Sequence, residues 1–284
     1  MEVMNLEAFN FIDIFKAIIL GIVQGITEWL PVSSTGHMIL VDEFIKLNMS
    51  KTFISTFLVV IQFGSILAVL TIFFKKLNPF DGSKTKIQKR ETIDLWSKVI
   101  IAVIPSAVIG LLYEDTIDAL FFNPTTVAIA LIVYGIIMIA LENRDKKPIF
   151  NDFSQVTYKL AIGIGLFQCL ALIPGTSRSG STIIGAVLLG TSRYVATEFS
   201  FFLAIPTMLG ASALKLVKAG FDFDGFEWTV LATGSIVAYL VSVFVIKFLL
   251  DYIRKHDFKV FGYYRIVLGI VVLAYFWLKS YGLI

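Results

Sequence analysis

Charge is scarce in this chain. Only 16% of its 284 residues are Asp, Glu, Lys or Arg, where soluble domains carry about a quarter. That shortage, with 57% hydrophobic residues and 26 phenylalanines, excludes an ordinary water-soluble domain and makes lipid the solvent. Cysteine is scarcer still: the lone Cys169 excludes an intrachain disulfide, and its apolar surroundings suit a small packed side chain. No Walker-type glycine-rich loop is present, which argues against ATP hydrolysis. A net charge of +3 is too small to point to nucleic acid. The opening "MEVMNLEAFNFID" is acidic where a secretory leader is basic, so the first apolar segment is expected to stay in the protein.

What is there is hydrophobic length. Six stretches reach the roughly 20 apolar residues that a bilayer needs, near 53–74, 96–113, 124–141, 194–217, 228–250 and 262–282. Two further apolar regions are broken by polar knots. Residues 11–28 lead into "LPVSSTGH" (30–37) and a short run at 38–47; residues 160–173 lead into "IPGTSRSGST" (173–182) and 183–190. A polar elbow exposed to hydrocarbon would leave backbone groups unpaired at a cost of several kcal/mol each. Each region is therefore expected to be a re-entrant helical hairpin buried in protein.

Basic residues cluster after the first, third and fifth spans (Lys75 to Arg90; Arg144, Lys146 and Lys147; Arg254, Lys255 and Lys259). The turns between carry Glu114, Asp115 and Asp118, then Asp222, Asp224 and Glu227. The basic loops are expected inside and the acidic turns outside. The first hairpin then enters from outside and the second from the cytoplasm. An offset of 143 residues places Pro31 on Pro174 and Ser34 on Ser177, with "FLVVIQFGSILAVL" close to "FFLAIPTMLGASAL". The expected fold is all-α: one membrane domain over 1–284, six transmembrane helices and two hairpins. Residues 8–143 and 151–284 would form an inverted-topology repeat whose knots meet near the midplane.

Gln24 and Glu28 share a helix face, and an ionisable group at membrane depth marks a functional cavity. Ser33, Ser34, Thr35 and Gly36 precede a helical run, where hydroxyls and free N–H groups favour anions. His37 beside Ser34 is a candidate base, nucleophile or acid, while His256 lies in a basic loop. The second knot supplies Ser177, Arg178, Ser179, Ser181 and Thr182, with Arg178 either a phosphate fork or the ion-pair partner of Glu28. Together these groups describe a phosphate site in a membrane cavity.

"QGITEWLPVSSTGH" (24–37) and "PGTSRSGST" (174–182) resemble the undecaprenyl-diphosphatase family, the bacitracin-resistance proteins of bacterial membranes. The similarity runs nearly end to end, with Gln24 where the family also carries Glu. It implies hydrolysis of undecaprenyl diphosphate to the monophosphate and inorganic phosphate, which recycles the lipid carrier for peptidoglycan synthesis and confers bacitracin resistance. The resemblance further implies a plasma-membrane enzyme with its site facing outward, assisted by a magnesium or calcium ion and by no organic cofactor. Glu28, with Gln24, would hold the cation and Arg178 would grip the diphosphate. Ser34 and His37 would supply the nucleophile and the acid–base group; the assignment between them stays open, with Ser34 preferred. Ser33, Thr35, Gly36, Ser177, Ser179 and Thr182 would bind the phosphates. The partners expected are the polyprenyl diphosphate and the bilayer, with a homodimer kept open.

Two rivals stand beside this reading. The other lipid-phosphatase superfamily needs a histidine where this chain has Ile184. A transporter or flippase for a polyprenyl phosphate would share the architecture and the phosphate-binding knots but gives no role to Ser34 with His37.

Overall fold

The computed structural model describes residues 2–144 and 146–283, with side-chain environments from residue 11 onward. Eleven helices run in order: α1 (Glu2–Thr27), α2 (Ser34–Phe44), α3 (Lys51–Ile72), α4 (Phe74–Leu77), α5 (Lys86–Phe121), α6 (Pro124–Glu142), α7 (Tyr158–Cys169), α8 (Arg178–Leu188), α9 (Arg193–Ala219), α10 (Gly225–Ile253) and α11 (Lys259–Ser280). Short 3-10 turns sit at Phe153–Gln155 and Leu170–Leu172. The only extended pairing among the described residues is a single bridge between Phe150 and Thr191.

Six of these helices, α3, α5, α6, α9, α10 and α11, are long and apolar enough to cross a membrane. Their ends carry recognisable signals. Ser50, Thr85, Asn123, Ser192 and Asp224 each accept a backbone N–H from the first turn of their helix, and Pro124 stands at the first helical position of α6. Two helices outrun their hydropathy. α5 covers 36 residues where the apolar stretch is 96–113, because the Thr85–Gln88 capping box starts it well before the lipid boundary. α1 begins at Glu2 rather than near residue 11, since no glycine or proline interrupts the sequence before Gly21.

The packing is interleaved. α1 lies along α10, α7 along α5, α3 between α10 and α9, and α6 along α11. Small residues allow the closest approaches, as expected where lipid gives no hydrophobic drive between helices. A Cβ at Gly165 of α7 would lie 2.0 Å from the Ala102 carbonyl oxygen of α5, and one at Gly64 of α3 would lie 2.0 Å from that of Ser235 on α10. The outer flanks present Ile104, Leu111, Phe244 and Val267.

Ion pairs identify the two ends of the bundle. At one end Lys76, after α3, binds Glu198 near the start of α9 at 2.6 Å, and Arg193 binds Glu142 at the end of α6. At the other end Lys218 binds Glu114 at 2.7 Å and Lys279 binds Glu43 at the end of α2. Asp13 of α1 accepts the Asn48 N–H at 3.2 Å, so the α1–α2 hairpin opens at that second end. Tyr158, opening α7, donates to Asp94 near the start of α5, so the α7–α8 hairpin opens at the first.

Candidate active site

Each hairpin turns at a serine in an unusual conformation. Ser33 and Ser177 both have φ of 73°, a left-handed value that is uncommon outside glycine. Each serine caps the helix that follows, its Oγ accepting from the N–H of a glycine three residues on. Gly36 donates to Ser33 at 3.3 Å and Gly180 donates to Ser177 at 3.1 Å. α2 and α8 have 11 residues each. This correspondence corrects the expected register: the elbows match at an offset of 144, Ser33 with Ser177, rather than at the 143 suggested by Pro31 and Pro174. Ser34 and Arg178 therefore occupy the same first helical position in their respective hairpins.

The two elbows meet. Arg178 Nη2 donates to Glu28 Oε1 at 3.0 Å across 150 residues of sequence, and both side chains are largely buried. Arg178 Nη1 is held by the Ser200 carbonyl at 2.9 Å and its hydroxyl at 3.3 Å. The guanidinium carbon lies 5.5 Å from the Trp29 ring centroid. Arg178 Nε is buried and has no partner among the described residues. The other carboxylate oxygen, Glu28 Oε2, accepts from Gln24 Nε2 at 2.9 Å and from Ser34 Oγ at 3.1 Å.

The expected Ser34–His37 couple is not the contact formed. Ser34 gives its hydroxyl hydrogen to Glu28. His37 Nδ1 lies 2.7 Å from the Ser33 carbonyl oxygen and Nε2 lies 2.7 Å from the Tyr264 hydroxyl. A carbonyl only accepts, so Nδ1 carries the hydrogen and, in the neutral ring, Tyr264 donates to Nε2. The physical reason is local. Ser33 is the N-cap of α2, so its carbonyl oxygen points along the first turn toward the residue four positions on, and the His37 ring takes that acceptor.

The remaining expected residues divide by burial. Thr35, Ser177, Ser34 and His37 are partly exposed, and Arg178 keeps a small exposed fraction. Ser33, Gly36, Ser179 and Thr182 are buried and form the frame. Ser179 donates to the carbonyl oxygens of Glu28 (3.2 Å) or Leu30 (3.3 Å), tying the second knot to the first. Thr182 pairs with the Ser200 hydroxyl at 2.6 Å, behind Arg178.

Sequence reasoning overlooked Arg265. It is fully buried on α11 and donates to the carbonyl oxygens of Pro31 (3.2 Å), Gly175 (2.9 Å) and Thr176 (3.0 Å). One guanidinium thus satisfies carbonyls from both elbows. The signal was an arginine inside an apolar span, which is costly at membrane depth and so marks a site. Ser200 and Tyr264 were also missed; serine and tyrosine in a span carry no such signal.

Among the described residues no three His, Cys, Asp or Glu side chains cluster to hold a metal. Glu28 is the single carboxylate of the site, with Gln24 beside it.

Comparison with known proteins shows close relatives over nearly the whole chain. The chain is 81% identical over 273 residues to "Undecaprenyl-diphosphatase 1" of Clostridioides difficile (strain 630), covering 96% of this chain and 100% of that protein. It is 60% identical to "Undecaprenyl-diphosphatase" of Desulfitobacterium hafniense, covering 93% and 96%, and 58% identical to that of Enterococcus faecalis, covering 94% and 98%. The sequence model of the family described as bacitracin resistance protein BacA matches residues 17–271, and the chain belongs to that family.

Proposed function

We propose that this multi-pass membrane protein removes the terminal phosphate from undecaprenyl diphosphate, leaving undecaprenyl phosphate and inorganic phosphate. The observation that carries the chemistry is the Ser34 hydroxyl, hydrogen-bonded at 3.1 Å to a buried carboxylate that is itself paired with Arg178. A nucleophile, a base for its proton and a cation for the phosphoryl charge are thereby in one place. Relatives at 81% and 60% identity bear the diphosphatase name, and the family description supplies bacitracin resistance.

The mechanism runs in two steps. Ser34 Oγ attacks the terminal phosphorus as its proton passes to Glu28. The Oγ–P bond forms, the bridging P–O bond breaks, and the lipid leaves as the monophosphate. Water then attacks the phosphoserine, the proton on Glu28 returns to Ser34 Oγ, and inorganic phosphate departs. Arg178 stabilises the charge on the phosphoryl oxygens in both steps. His37 lies on the same first turn of α2 as Ser34, and the proton of the attacking water passes to its Nε2 through the Tyr264 hydroxyl that donates to it. Thr35 and Ser177 hydrogen-bond the phosphates at the rim. Arg265 touches no substrate in this scheme; it positions the elbows.

A magnesium or calcium ion, when bound with the diphosphate, supplies further charge neutralisation. Glu28 and the Gln24 side-chain carbonyl would hold it from the protein side, and the diphosphate would provide the other oxygens. The two hairpins opening at opposite ends, with equal 11-residue second arms, support an inverted-topology repeat. The basic loops gathered at one end support an outward-facing first hairpin and an outward-facing site.

Phosphate release from a long-chain prenyl diphosphate by the purified protein tests the proposal. Release that falls by about 10²–10³ in Arg178→Ala and is reduced by chelation is the expected result. Leaflet transfer of a polyprenyl phosphate in liposomes without phosphate release would favour the carrier instead. A carrier has no use for a serine hydroxyl directed at a carboxylate beside a guanidinium, and the relatives' names do not favour it.

A further inference from the structure

At the opposite end of α8 from Arg178, a cavity of about 560 Å³ opens where the second hairpin returns to the surface. Arg144, Lys146, Lys147, Arg193 and Arg254 line it, against the carboxylate of Glu142 as the single one among the described residues. Glu142 is committed: it takes a forked pair of bonds from Arg193 and accepts the Phe258 N–H at 3.2 Å. Arg254 reaches Asp251 at 3.5 Å, with both groups exposed.

The wall is preformed. The N–H groups of Ile149 and Phe150 both donate to the Gly190 carbonyl oxygen, at 2.8 and 3.0 Å, and the Ser192 N–H donates to that of Phe150 at 2.8 Å. These bonds stitch the loop after α6 to the turn between α8 and α9. The rim is greasy as well as charged: Ile149, Leu188 and Leu189 are exposed beside the cations. A soluble anion needs no such rim. The apolar spans α6, α9, α10 and α11 begin or end around this cavity, which sets it at the height of phospholipid headgroups.

We propose that the cavity holds the headgroup of an anionic phospholipid from the leaflet on the basic-loop side. The phosphate lies among Arg144, Lys146 and Lys147, and the acyl chains descend over Ile149, Leu188 and Leu189. The site is separate from the diphosphate pocket and does not depend on the hydrolytic mechanism.

Native mass spectrometry of the full chain, released from micelles containing equimolar phosphatidylglycerol and phosphatidylcholine, tests it. Phosphatidylglycerol adducts should dominate, and millimolar inorganic phosphate should not displace them. In Arg144→Gln/Lys146→Gln/Lys147→Gln, retention should fall by roughly fivefold per charge removed. Phosphate release from prenyl diphosphate in phosphatidylcholine micelles should stay at the parent rate, showing that the variant is folded. Should the triple variant misfold, Lys146→Gln and Lys147→Gln singly read the same loss. A matched triple in the other basic loop, Lys86→Gln/Lys89→Gln/Arg90→Gln, should leave retention unchanged. No preference for phosphatidylglycerol, equal loss from both triples, or displacement by phosphate overturns the proposal.

Discussion

Arg178 and Glu28 are joined at 3.0 Å although 150 residues separate them in the chain, and each reaches the contact from the elbow of a different hairpin. The pair shapes what substitutions at the site will do, because removing either partner strands a buried charge while also removing a group from the chemistry.

Arg178→Ala should lower kcat by about 10²–10³, the scale for losing one preorganised charge-stabilising group. It should also destabilise the protein by about 3–5 kcal/mol, since Glu28 is left unpaired at low exposure. Replacing both partners, Glu28→Gln with Arg178→Met, should restore much of the melting temperature and none of the phosphate release. Thermal unfolding in detergent beside a phosphate assay separates these outcomes.

Ser34→Ala should abolish turnover while the lipid diphosphate still binds, because Arg178 keeps its place without the Ser34 hydroxyl. Rapid quench of the parent enzyme should trap phosphate on Ser34. Phosphate recovered on His37 in the Ser34→Ala variant would transfer the nucleophile's role to the histidine.

Arg265→Met should cost stability and activity together. Three carbonyl oxygens from the two elbows lose their donor while buried, and each such loss costs about 1–3 kcal/mol. Arg265→Lys keeps a charge but cannot fork, so it should fold better than Arg265→Met and still show a lowered kcat with KM little changed. Equal kcat in Arg265→Lys and the parent would refute a positioning role.

Ser33 makes a finer test, since its backbone and its side chain want different residues. Ser33→Gly relieves the left-handed conformation but loses the cap on Gly36; Ser33→Ala loses the cap and keeps the strain. Ser33→Ala should therefore be the less stable variant, by about 1 kcal/mol. Chemical denaturation in mixed micelles reads the difference.

Much of this architecture was legible in the letters because lipid imposes blunt rules. Apolar length located all six spans, and the polar knots betrayed the hairpins, because hydrocarbon tolerates neither bare backbone nor idle charge. The helix ends of α5 were not legible from hydropathy, which sees the lipid-covered portion and not the capped extension into water. The register between the two elbows went astray by one residue because two prolines matched as letters. The backbone instead pairs Ser33 with Ser177, and one residue turns a helix by about 100°. That slip hid the equivalence of Ser34 and Arg178. The partner of the Ser34 hydroxyl was missed for a different reason. Sequence proximity favoured His37, whereas the elbow turns the hydroxyl back toward the end of α1 and Glu28.

The distance along the chain between Glu28 and Arg178 also sets a waiting time. At about 5–20 residues per second, roughly 8–30 s of synthesis separate the two residues. Throughout that interval the carboxylate is already made and its guanidinium does not yet exist. The nascent first hairpin must spend that period shielded by the insertion machinery, and only the arrival of α8 gives the buried carboxylate its partner.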